Sequence, residues 1–506
     1  MAESAQTWKN SEQVSIKVDP ERILSPIDDR TYSGFLEHMG RCIYGGIVDF
    51  ENVKPGLTNE KGYRLDVAKA LKDLNMPVVR YPGGNFVSSY HWQDAIGPKE
   101  NRPRRPELAW LGEESNLFGT DEFIEWCEFM NVEPYLCLNM GTGTLDEALA
   151  WVEYCNSSKN TYYANLRRNN GHEKPYNVKY WSLGNEVWGD WQVGQLSSTD
   201  YSKKAFQWAK ALKLLDPSIR LIACGCTGFD NWDYDVTQAL VSKIDLYSIH
   251  LYTSHAEYYK NVTGPAAAER AIQISAKLLD LAKITQKAYD KDIKICFDEW
   301  NVWDPIRADG SKGAEEKYHL GDALAVAAWS NVFIRQAHHI GMANIAQCVN
   351  VIAPIMTNKD GLYLQTIYFP FLLFAKYMRG HSINLHVSGP RYEGETNNVQ
   401  CDLGWVKHSE PILNYIDVSA AIYEGHVNIA IINRDLEKDH EVNIRLEGDY
   451  KDTSLTYTVY HDDVNAVNNF ENPNNVGITE GTVPTSDLAA FKVLKHSFVL
   501  VRVPIA

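Results

Sequence analysis

The chain has 506 residues, of which 44% are hydrophobic, 11% aromatic and 23% charged, a composition typical of a folded globular protein and not of a disordered one. This length exceeds one ordinary compact core, so we expect a large domain and a smaller one. The formal net charge of −16 argues against nucleic acid and anionic membranes as ligands, because phosphate-rich surfaces are bound through Lys and Arg, whereas a neutral sugar fits that charge.

The N-terminal segment, residues 1–29, is the first place to look for a targeting signal. No apolar core follows Met1, and no run of about 20 apolar residues occurs, so the sequence predicts neither a signal peptide nor a membrane span. We therefore expect a cytoplasmic protein, or a secreted one if a leader has been removed. The stretch VSIKVDPERILSPI (residues 14–27) is strand-like, and we expect it to pair with the β-rich C-terminal part of the chain.

Residues 30–380 alternate between short β-branched or aromatic runs and longer segments with helical periodicity, such as SKKAFQWAKALKLLDP. The strand candidates are residues 34–38, 77–84, 133–140, 178–186, 220–225, 244–252, 293–300 and 343–350. Eight strand and helix units in about 350 residues predict an α/β fold, the (β/α)₈ TIM barrel, with insertions.

Residues 381–506 change character to strand-like runs separated by polar, Gly and Asn turns. The runs are NYIDVSAAIY, HVNIAIINR, HEVNIRLE, LTYTVYH and SFVLVRVPI. This pattern predicts an all-β C-terminal domain, a jelly-roll-like sandwich.

Nine cysteines, an odd number scattered from Cys42 to Cys401, indicate a reduced chain and not a disulfide framework. Cys224 and Cys226 lack neighbouring Cys or His ligands at zinc spacing, so we interpret them as buried thiols. The histidines at 38, 91, 250 and 255 also lack a paired metal spacing. We expect neither a metal nor an organic cofactor.

Polar residues that end barrel strands are the candidates for chemistry, because a barrel places its catalytic residues at the C-terminal ends of its strands. They are Glu37 and His38, Arg80 to Asn85, Asn185 and Glu186, His250 and Tyr252, Asp298 and Glu299, and Gln347 and Asn350. Carboxylates on the fourth and seventh strands suit glycoside hydrolysis, which needs an acid for the departing oxygen and a carboxylate opposite it, about 5 to 5.5 Å apart in retaining enzymes.

Long motifs in order along the chain resemble glycoside hydrolase family 51, the α-L-arabinofuranosidases. The similarity runs from about Gly34 to Tyr377 and is carried by GFLEHMGRCIYGGI, VVRYPGGNFVSSYHW, NRPRRPELAW, NLFGTDEF, WSLGNEVWG with WQVG, LYSIHLY, FDEWNVW and AQCVNVIAPI. The resemblance implies a TIM barrel with Glu186 as general acid/base and Glu299 as nucleophile.

The resemblance also implies roles for the residues around these two glutamates. Asn185 would bind the sugar 2-hydroxyl, and Glu37 and Asn85 would bind other hydroxyls of the furanose. Tyr252 would orient the nucleophile, Gln347 would contact the sugar or the same carboxylate, and His250 fits either a supporting role or a structural one. Trp110 and Trp303 resemble aromatic residues that wall the pocket, where ring faces suit sugar C–H groups.

Two further residues are assigned from their position in the strands. We interpret Arg80 as a buried structural cation and not as a substrate ligand. Strand alternation points Asp298 away from Glu299, so we exclude Asp298 from catalysis.

The implied function is exo-acting, retaining release of terminal α-L-arabinofuranosyl groups from oligosaccharides derived from arabinoxylan or arabinan. The alternatives are endo-β-glucanase or β-xylosidase activity on the same scaffold and, from another class, a noncatalytic carbohydrate-binding protein. A pocket closed around one furanose would favour exo action, and an open cleft endo action. Members of this family commonly form homo-oligomers, so we expect one here.

Overall fold

A computed structural model describes residues 13–394 and 413–506. Residues 1–12 and Cys401 therefore lie outside the described residues. Among the helices that are described, none is both long and apolar enough to cross a membrane.

The strands alternate with helices through the first three quarters of the chain and follow one another in the last quarter. In chain order they are β1 (Val14–Val18), β2 (Ile23–Pro26), β3 (Ser33–Phe35), β4 (Val78–Tyr81), β5 (Arg105–Pro106), β6 (Glu113–Glu114), β7 (Glu133–Cys137), β8 (Tyr180–Leu183), β9 (Arg220–Ala223), β10 (Leu246–Thr253), β11 (Lys294–Val302), β12 (Ile340–Ile345), β13 (Ile355–Thr357), β14 (Leu362–Leu364), β15 (His381–Ile383), β16 (His386–Ser388), β17 (Arg391–Tyr392), β18 (Leu413–Asn414), β19 (Ile416–Tyr423), β20 (His426–Asn433), β21 (His440–Leu446), β22 (Thr453–Val459), β23 (Ile478–Pro484), β24 (Phe491–Val493) and β25 (Ser497–Pro504).

The α-helices lie between the strands of the first three quarters. They are α1 (Leu65–Asp73), α2 (Thr120–Met130), α3 (Leu145–Asn156), α4 (Tyr162–Asn169), α5 (Ser198–Leu215), α6 (Asn231–Leu240), α7 (Tyr258–Thr263), α8 (Ala266–Thr285), α9 (Leu320–Arg335) and α10 (Tyr368–Tyr377).

Eight parallel strands close into a barrel in the order β3, β4, β7, β8, β9, β10, β11, β12. The predicted TIM barrel is therefore confirmed. The first, fourth and eighth predicted strands extend too far, because β3, β8 and β12 end before Glu37, Glu186 and Gln347. These side chains therefore stand on the loops that leave the strands, where a barrel carries its active site.

The opposite end of the barrel is filled by a separate layer of apolar side chains. One residue from each of seven strands contributes to it: Val78, Tyr135, Tyr180, Ile222, Leu246, Cys296 and Met342. Five of the seven lie in the N-terminal half of their strands, whereas Tyr135 is central in β7 and Ile222 is the third of four residues in β9. The barrel is therefore packed with apolar side chains away from the loops that carry Glu37, Glu186 and Gln347.

The C-terminal strands form two sheets that face each other, which confirms the predicted β-sandwich. One sheet has the order β16, β1, β21, β24, and the other has the order β2, β15, β19, β20, β25, β22, β23. Both strands of the N-terminal segment lie in these sheets, with β1 parallel to β21. Val14, Ile16 and Val442 from the smaller sheet meet Ile429 and Val501 from the larger one in a second apolar core.

The larger sheet also packs on the barrel. Side chains alternate along its central strands, so that Ile429 and Ile431 face the sandwich core while Ala430 and Ile432 join the barrel core. Phe498 of β25 stacks on Phe374 of α10 with ring centroids 5.5 Å apart. Burial of both faces explains why these strands read as nearly continuous apolar runs.

Candidate active site

Glu186 follows β8 on a turn with left-handed backbone conformations. Gly184 has a φ of 82° and Glu186 itself a φ of 41°, which is unusual for a residue with a side chain. Oε1 of Glu186 lies 3.0 Å from Nδ1 of His250, and Oε2 accepts a hydrogen bond of 3.1 Å from Nε1 of Trp191. The turn therefore aims the carboxylate at the barrel axis with a different partner on each oxygen.

Glu299 lies within β11, and two donors hold its carboxylate. Nη1 of Arg80 donates to Oε1 at 2.6 Å, and the hydroxyl of Tyr252 donates to Oε2 at 2.8 Å. Nη2 of Arg80 also donates to Oδ1 of Asn185 at 2.6 Å. Arg80 thus connects the residue that precedes Glu186 with the carboxylate of Glu299.

The two carboxylates are close together. One ligand atom each from Glu186, His250 and Glu299 can be chosen so that all three lie within 4.8 Å of one another. Such a trio could hold a small cation, but Nδ1 of His250 is already engaged with Glu186. One oxygen of Glu186 therefore lies within 4.8 Å of one oxygen of Glu299. This closeness is the arrangement of retaining glycosidases, whose carboxyl groups are about 5 to 5.5 Å apart, compared with about 6.5 to 9.5 Å in inverting ones.

Glu37 forms a second polar cluster on the other side of the pocket. Its Oε1 accepts from the backbone N–H of Phe86 and from Nε1 of Trp110, and its Oε2 accepts from Nε2 of Gln347. A Cβ on Gly84 would lie 2.5 Å from this carboxylate, so only glycine allows the loop after β4 to approach so closely. Burial, followed by the charge of Glu299, raises the pKa of Glu37 to about 8.

A pocket of about 390 Å³ opens at this end of the barrel. Nine of the ten predicted site residues line it: Glu37, Asn85, Trp110, Glu186, His250, Tyr252, Glu299, Trp303 and Gln347. The tenth, Asn185, is buried behind the lining, where its Nδ2 lies 3.4 Å from Oδ1 of Asn85. The structure therefore brings the predicted residues together, with Asn185 set back from the surface of the pocket.

One prediction about a neighbouring residue needs correction. Asp298 does not point away from the site, because the β-sheet register shifts between Phe297 and Trp300 and turns two consecutive acids inward. Gln347 donates to Glu37 and lines the pocket, and its contact with the sugar stays a prediction. Arg80 is buried and does not line the pocket, as predicted for a cation that is not a substrate ligand, and it also donates to Glu299.

Sequence reasoning missed several pocket-lining residues. They are Met39, Gly84, Ala109, Trp188, Trp191, Thr227, Leu251, Pro305 and Ile352. Trp191 is 56% exposed and donates a hydrogen bond to Glu186. The sequence signal that could have identified it is the motif WQVG, which begins five residues after Glu186. A large aromatic ring exposed next to a catalytic carboxylate suits the face of a sugar.

Comparisons with known families match most of the chain. Residues 70–270 match the family described as alpha-L-arabinofuranosidase 1 domain, and residues 298–497 match the alpha-L-arabinofuranosidase C-terminal domain. The two matches fall on the barrel up to α8 and on the rest of the chain from Asp298 onward.

Whole-chain relatives agree with these matches. The chain is 54% identical to the probable alpha-L-arabinofuranosidase C of Aspergillus clavatus, with 97% of each chain covered. It is 34% identical to the intracellular exo-alpha-(1->5)-L-arabinofuranosidase 1 of Bacillus subtilis, over 93% of this chain and 94% of that one. The crystal structure of an alpha-L-arabinofuranosidase from Thermotoga maritima in complex with arabinose superposes with a TM-score of 0.88 at 39% identity, covering 97% of this chain and 100% of that chain.

Proposed function

Because the chain belongs to glycoside hydrolase family 51, the α-L-arabinofuranosidases, we propose that it is a retaining enzyme that releases terminal, non-reducing α-L-arabinofuranosyl groups. The observation that carries this proposal is the short distance between the Glu186 and Glu299 carboxylates at the C-terminal end of the barrel. Such closeness suits a carboxylate that attacks the sugar directly, whereas a general base needs a wider gap to hold a water molecule, so we assign the attack to Glu299.

In the first step, Glu299 bonds to the anomeric carbon while the bond to the departing oxygen breaks. Arg80 and Tyr252 hold the attacking carboxylate in place, so little reorganisation is needed at the moment of reaction. Glu186 gives its proton to the departing oxygen, and the product is a covalent arabinosyl-enzyme plus the shortened oligosaccharide.

In the second step, water attacks the anomeric carbon and the bond to Glu299 breaks. Glu186, now a carboxylate, takes a proton from the water, so arabinose leaves with its original configuration. His250 and Trp191 each donate to one oxygen of Glu186 in this carboxylate form. Both enzyme groups return to their starting states.

The walls of the pocket favour removal of single terminal sugars. Glu37, Asn85 and Gln347 offer polar groups on one side, while Trp110 and Trp303 flank them with aromatic rings. These residues come from the loops after β3, β4, β11 and β12, so the sugar is enclosed from several directions. An endo-β-glucanase would need an open cleft for a continuous chain, and the xylo-oligosaccharides in the assay below test for β-xylosidase activity.

The natural substrates, the assembly and the location follow from the family. We expect arabinose-bearing oligosaccharides from arabinoxylan or arabinan as substrates. We also expect a homo-oligomer in the cytoplasm, since the Bacillus subtilis relative is named intracellular. Light scattering of the purified protein checks the assembly.

A product assay tests the proposed function. Branched arabinan and arabinoxylan oligosaccharides are incubated with the protein, with cello- and xylo-oligosaccharides in parallel. We expect arabinose from the branched substrates and no shortening of either backbone, and Glu299→Ala serves as the inactive control. Shortened backbones as the main product would contradict exo-arabinofuranosidase action and support the endo alternative.

A further inference from the structure

Asp298, the neighbour of the nucleophile, is a buried charge surrounded by donors. Its Oδ1 accepts from the hydroxyl of Ser248 and from Nε2 of His250, the latter at 3.2 Å. Its Oδ2 accepts from the hydroxyl of Tyr135 at 2.6 Å and lies 3.4 Å from Nε of Arg80. Asp298 is 1% exposed and does not line the pocket, so it cannot touch substrate.

His250 connects Asp298 to the acid/base. Its Nε2 faces Asp298, while its Nδ1 faces Oε1 of Glu186 at 3.0 Å. When Glu186 is ionised, as it is for the second step, both partners of His250 are carboxylates that can only accept, so the imidazole must then carry a proton on each nitrogen. The geometry therefore favours the imidazolium form.

We propose that Asp298 is a positioning residue for the general acid/base: by accepting the Nε2 proton of His250, it keeps a protonated, positively charged Nδ1 directed at Glu186. The proposal rests on the proposed function, because it concerns how Glu186 changes from acid to base. Asp298 thus acts on Glu186 through His250, without touching the sugar itself.

The charged groups around His250 support the imidazolium form. Titratable groups that face it or its partners come from β4, β7, β10, β11 and the loops after β3, β8 and β9. They are Arg80, Tyr135, Tyr252, Asp298, Glu299, Glu37, Glu186 and, behind Glu186, Cys224. Burial lowers the pKa of His250, but the charges of Glu299, Asp298 and Glu186 outweigh it and raise the pKa to about 10. Burial likewise raises the pKa of Asp298, yet Arg80 and His250 hold it well below its usual range.

The imidazolium matters most in the second half of the reaction. There the oxygen of water bonds to the anomeric carbon, the bond to Glu299 breaks, and one proton passes from water to Glu186. His250 keeps both of its protons throughout, and its positive charge lies 3.0 Å from Oε1 of Glu186. Attraction between the two charges stabilises the carboxylate form of Glu186, which is the form that acts as base.

Asp298→Asn is the direct test. Because Arg80 can only donate, the new amide N–H₂ avoids it and turns toward His250, whose Nε2 must then lose its proton to accept. His250 becomes neutral, and the positive charge that stabilises the Glu186 carboxylate is lost. With a dinitrophenyl arabinofuranoside, whose first step needs no acid, the burst rate should stay within about threefold. The acidic limb of the steady-state kcat should move up by about one pH unit.

The direction of this shift separates the proposal from its alternatives. If Asp298 acted on Glu186 directly through its negative charge, removing that charge would move the acidic limb to lower pH. If Asp298 had a purely structural role, the burst rate and the steady-state rate would fall equally at every pH. Either result overturns the proposal. In a His250→Gln background Asp298→Asn should add no further shift, and an additive shift would also overturn it.

A matched control and a measurement on the unaltered protein complete the test. Asp417→Asn changes another buried acid, bonded to Asn331 and Arg335 at the barrel and sandwich junction, and should lower stability without moving the acidic limb.

If Asp298→Asn does not fold, ¹⁵N NMR of the wild type provides the test. It should show protons on both nitrogens of His250 at pH 7, with His250→Gln identifying the signals. An unprotonated Nε2 would overturn the proposal. Failure of the proposed function is distinguishable, because the wild type would then show no burst at all.

Discussion

Glu186 occupies a backbone conformation that few residues with side chains adopt. Its φ of 41° places it in the left-handed region, at a cost of about 1 to 3 kcal/mol that the surrounding structure must offset. Val187 behind it is fully buried, and the hydroxyl of Tyr201 bonds to the carbonyl of Leu183 just before the turn. The turn is therefore fixed on both sides, which keeps the carboxylate aimed at the pocket.

Glu37 should set a limit on activity at alkaline pH. Its raised pKa of about 8 means that the carboxyl is neutral below that pH and places a second negative charge beside Glu299 above it. We expect kcat/KM on an arabino-oligosaccharide to fall above about pH 8, because kcat/KM follows the ionisation of the free enzyme. Glu37→Gln should be less active but should lack this limb. An unchanged alkaline limb in Glu37→Gln would assign the limb to another group.

Trp191 offers a test of two contributions from one side chain, its ring face and its N–H group. Trp191→Phe keeps a ring but loses the bond to Oε2 of Glu186, whereas Trp191→Ala loses both. We expect both variants to lower kcat/KM on oligosaccharides, Trp191→Ala by about tenfold more. Melting temperatures should stay close to wild type, since the ring is largely exposed. Equal kinetics for the two variants would show that the ring face does not contact the sugar.

The residues of the site differ in how far the sequence could predict them. Glu186, Glu299, His250 and Tyr252 end apolar strands, and that position alone marks them. Asp298 could not be placed correctly, because a register shift in β11 reverses the alternation and no sequence pattern reveals that shift. The hydrogen bond between Gln347 and Glu37 joins two loops whose residues are 310 positions apart in the chain, so the sequence alone does not pair them.

At the scale of elements, α9 supports the strand that carries the nucleophile. Trp329 on α9 is fully buried, contacts the rings of Phe297 and Trp300 on β11, and donates from Nε1 to the hydroxyl of Thr253 at 2.8 Å. Trp303, at the end of the same strand, only partly packs on the core and faces the pocket instead.

Paired substitutions of these two tryptophans should separate packing from function. Trp329→Ala removes a buried ring and should lower the free energy of unfolding by about 3 to 5 kcal/mol, measured by denaturant titration. Trp303→Ala should cost far less stability but change the preference between aryl and oligosaccharide substrates. A stable Trp329→Ala variant, or an unstable Trp303→Ala variant with unaltered preference, would contradict these assignments.

Element boundaries were less predictable than element types. The barrel strands were recognisable because both faces of each are covered, which gives continuous apolar runs. The strand β23 (Ile478–Pro484) was missed, since its residues are mostly exposed and it pairs at the edge of the sheet with β22. Such a strand lacks the apolar pattern on which sequence reading depends.

At the scale of the whole molecule, the barrel and the sandwich share surfaces and charges. Asp417 of β19 binds Arg335 and Asn331 of α9, and Arg335 also binds Glu269 of α8. The stacked rings of Phe374 and Phe498 lie in the same junction. Separation of the two parts would expose these apolar rings and leave the charges without their partners, so we expect each part to need the other for stability.

Truncation tests this dependence. A chain that ends at residue 380 would expose the apolar faces of α9 and α10 and remove the sheet partners of β1 and β2. We expect it to aggregate or to lose near-ultraviolet circular dichroism while it keeps helical signal. A soluble, active barrel of residues 1–380 would contradict an obligatory role for the sandwich.

The central claim is that Glu299 is the nucleophile and Glu186 the acid/base of a double displacement. The most direct test is Glu186→Ala with a dinitrophenyl arabinofuranoside and added azide. The covalent intermediate should form in a burst and then persist, because no base activates water, and azide, which needs no base, should restore turnover. NMR should identify arabinosyl azide with the configuration of the substrate. Failure of azide to rescue Glu186→Ala, an azide product of inverted configuration, or a burst in Glu299→Ala would contradict this assignment.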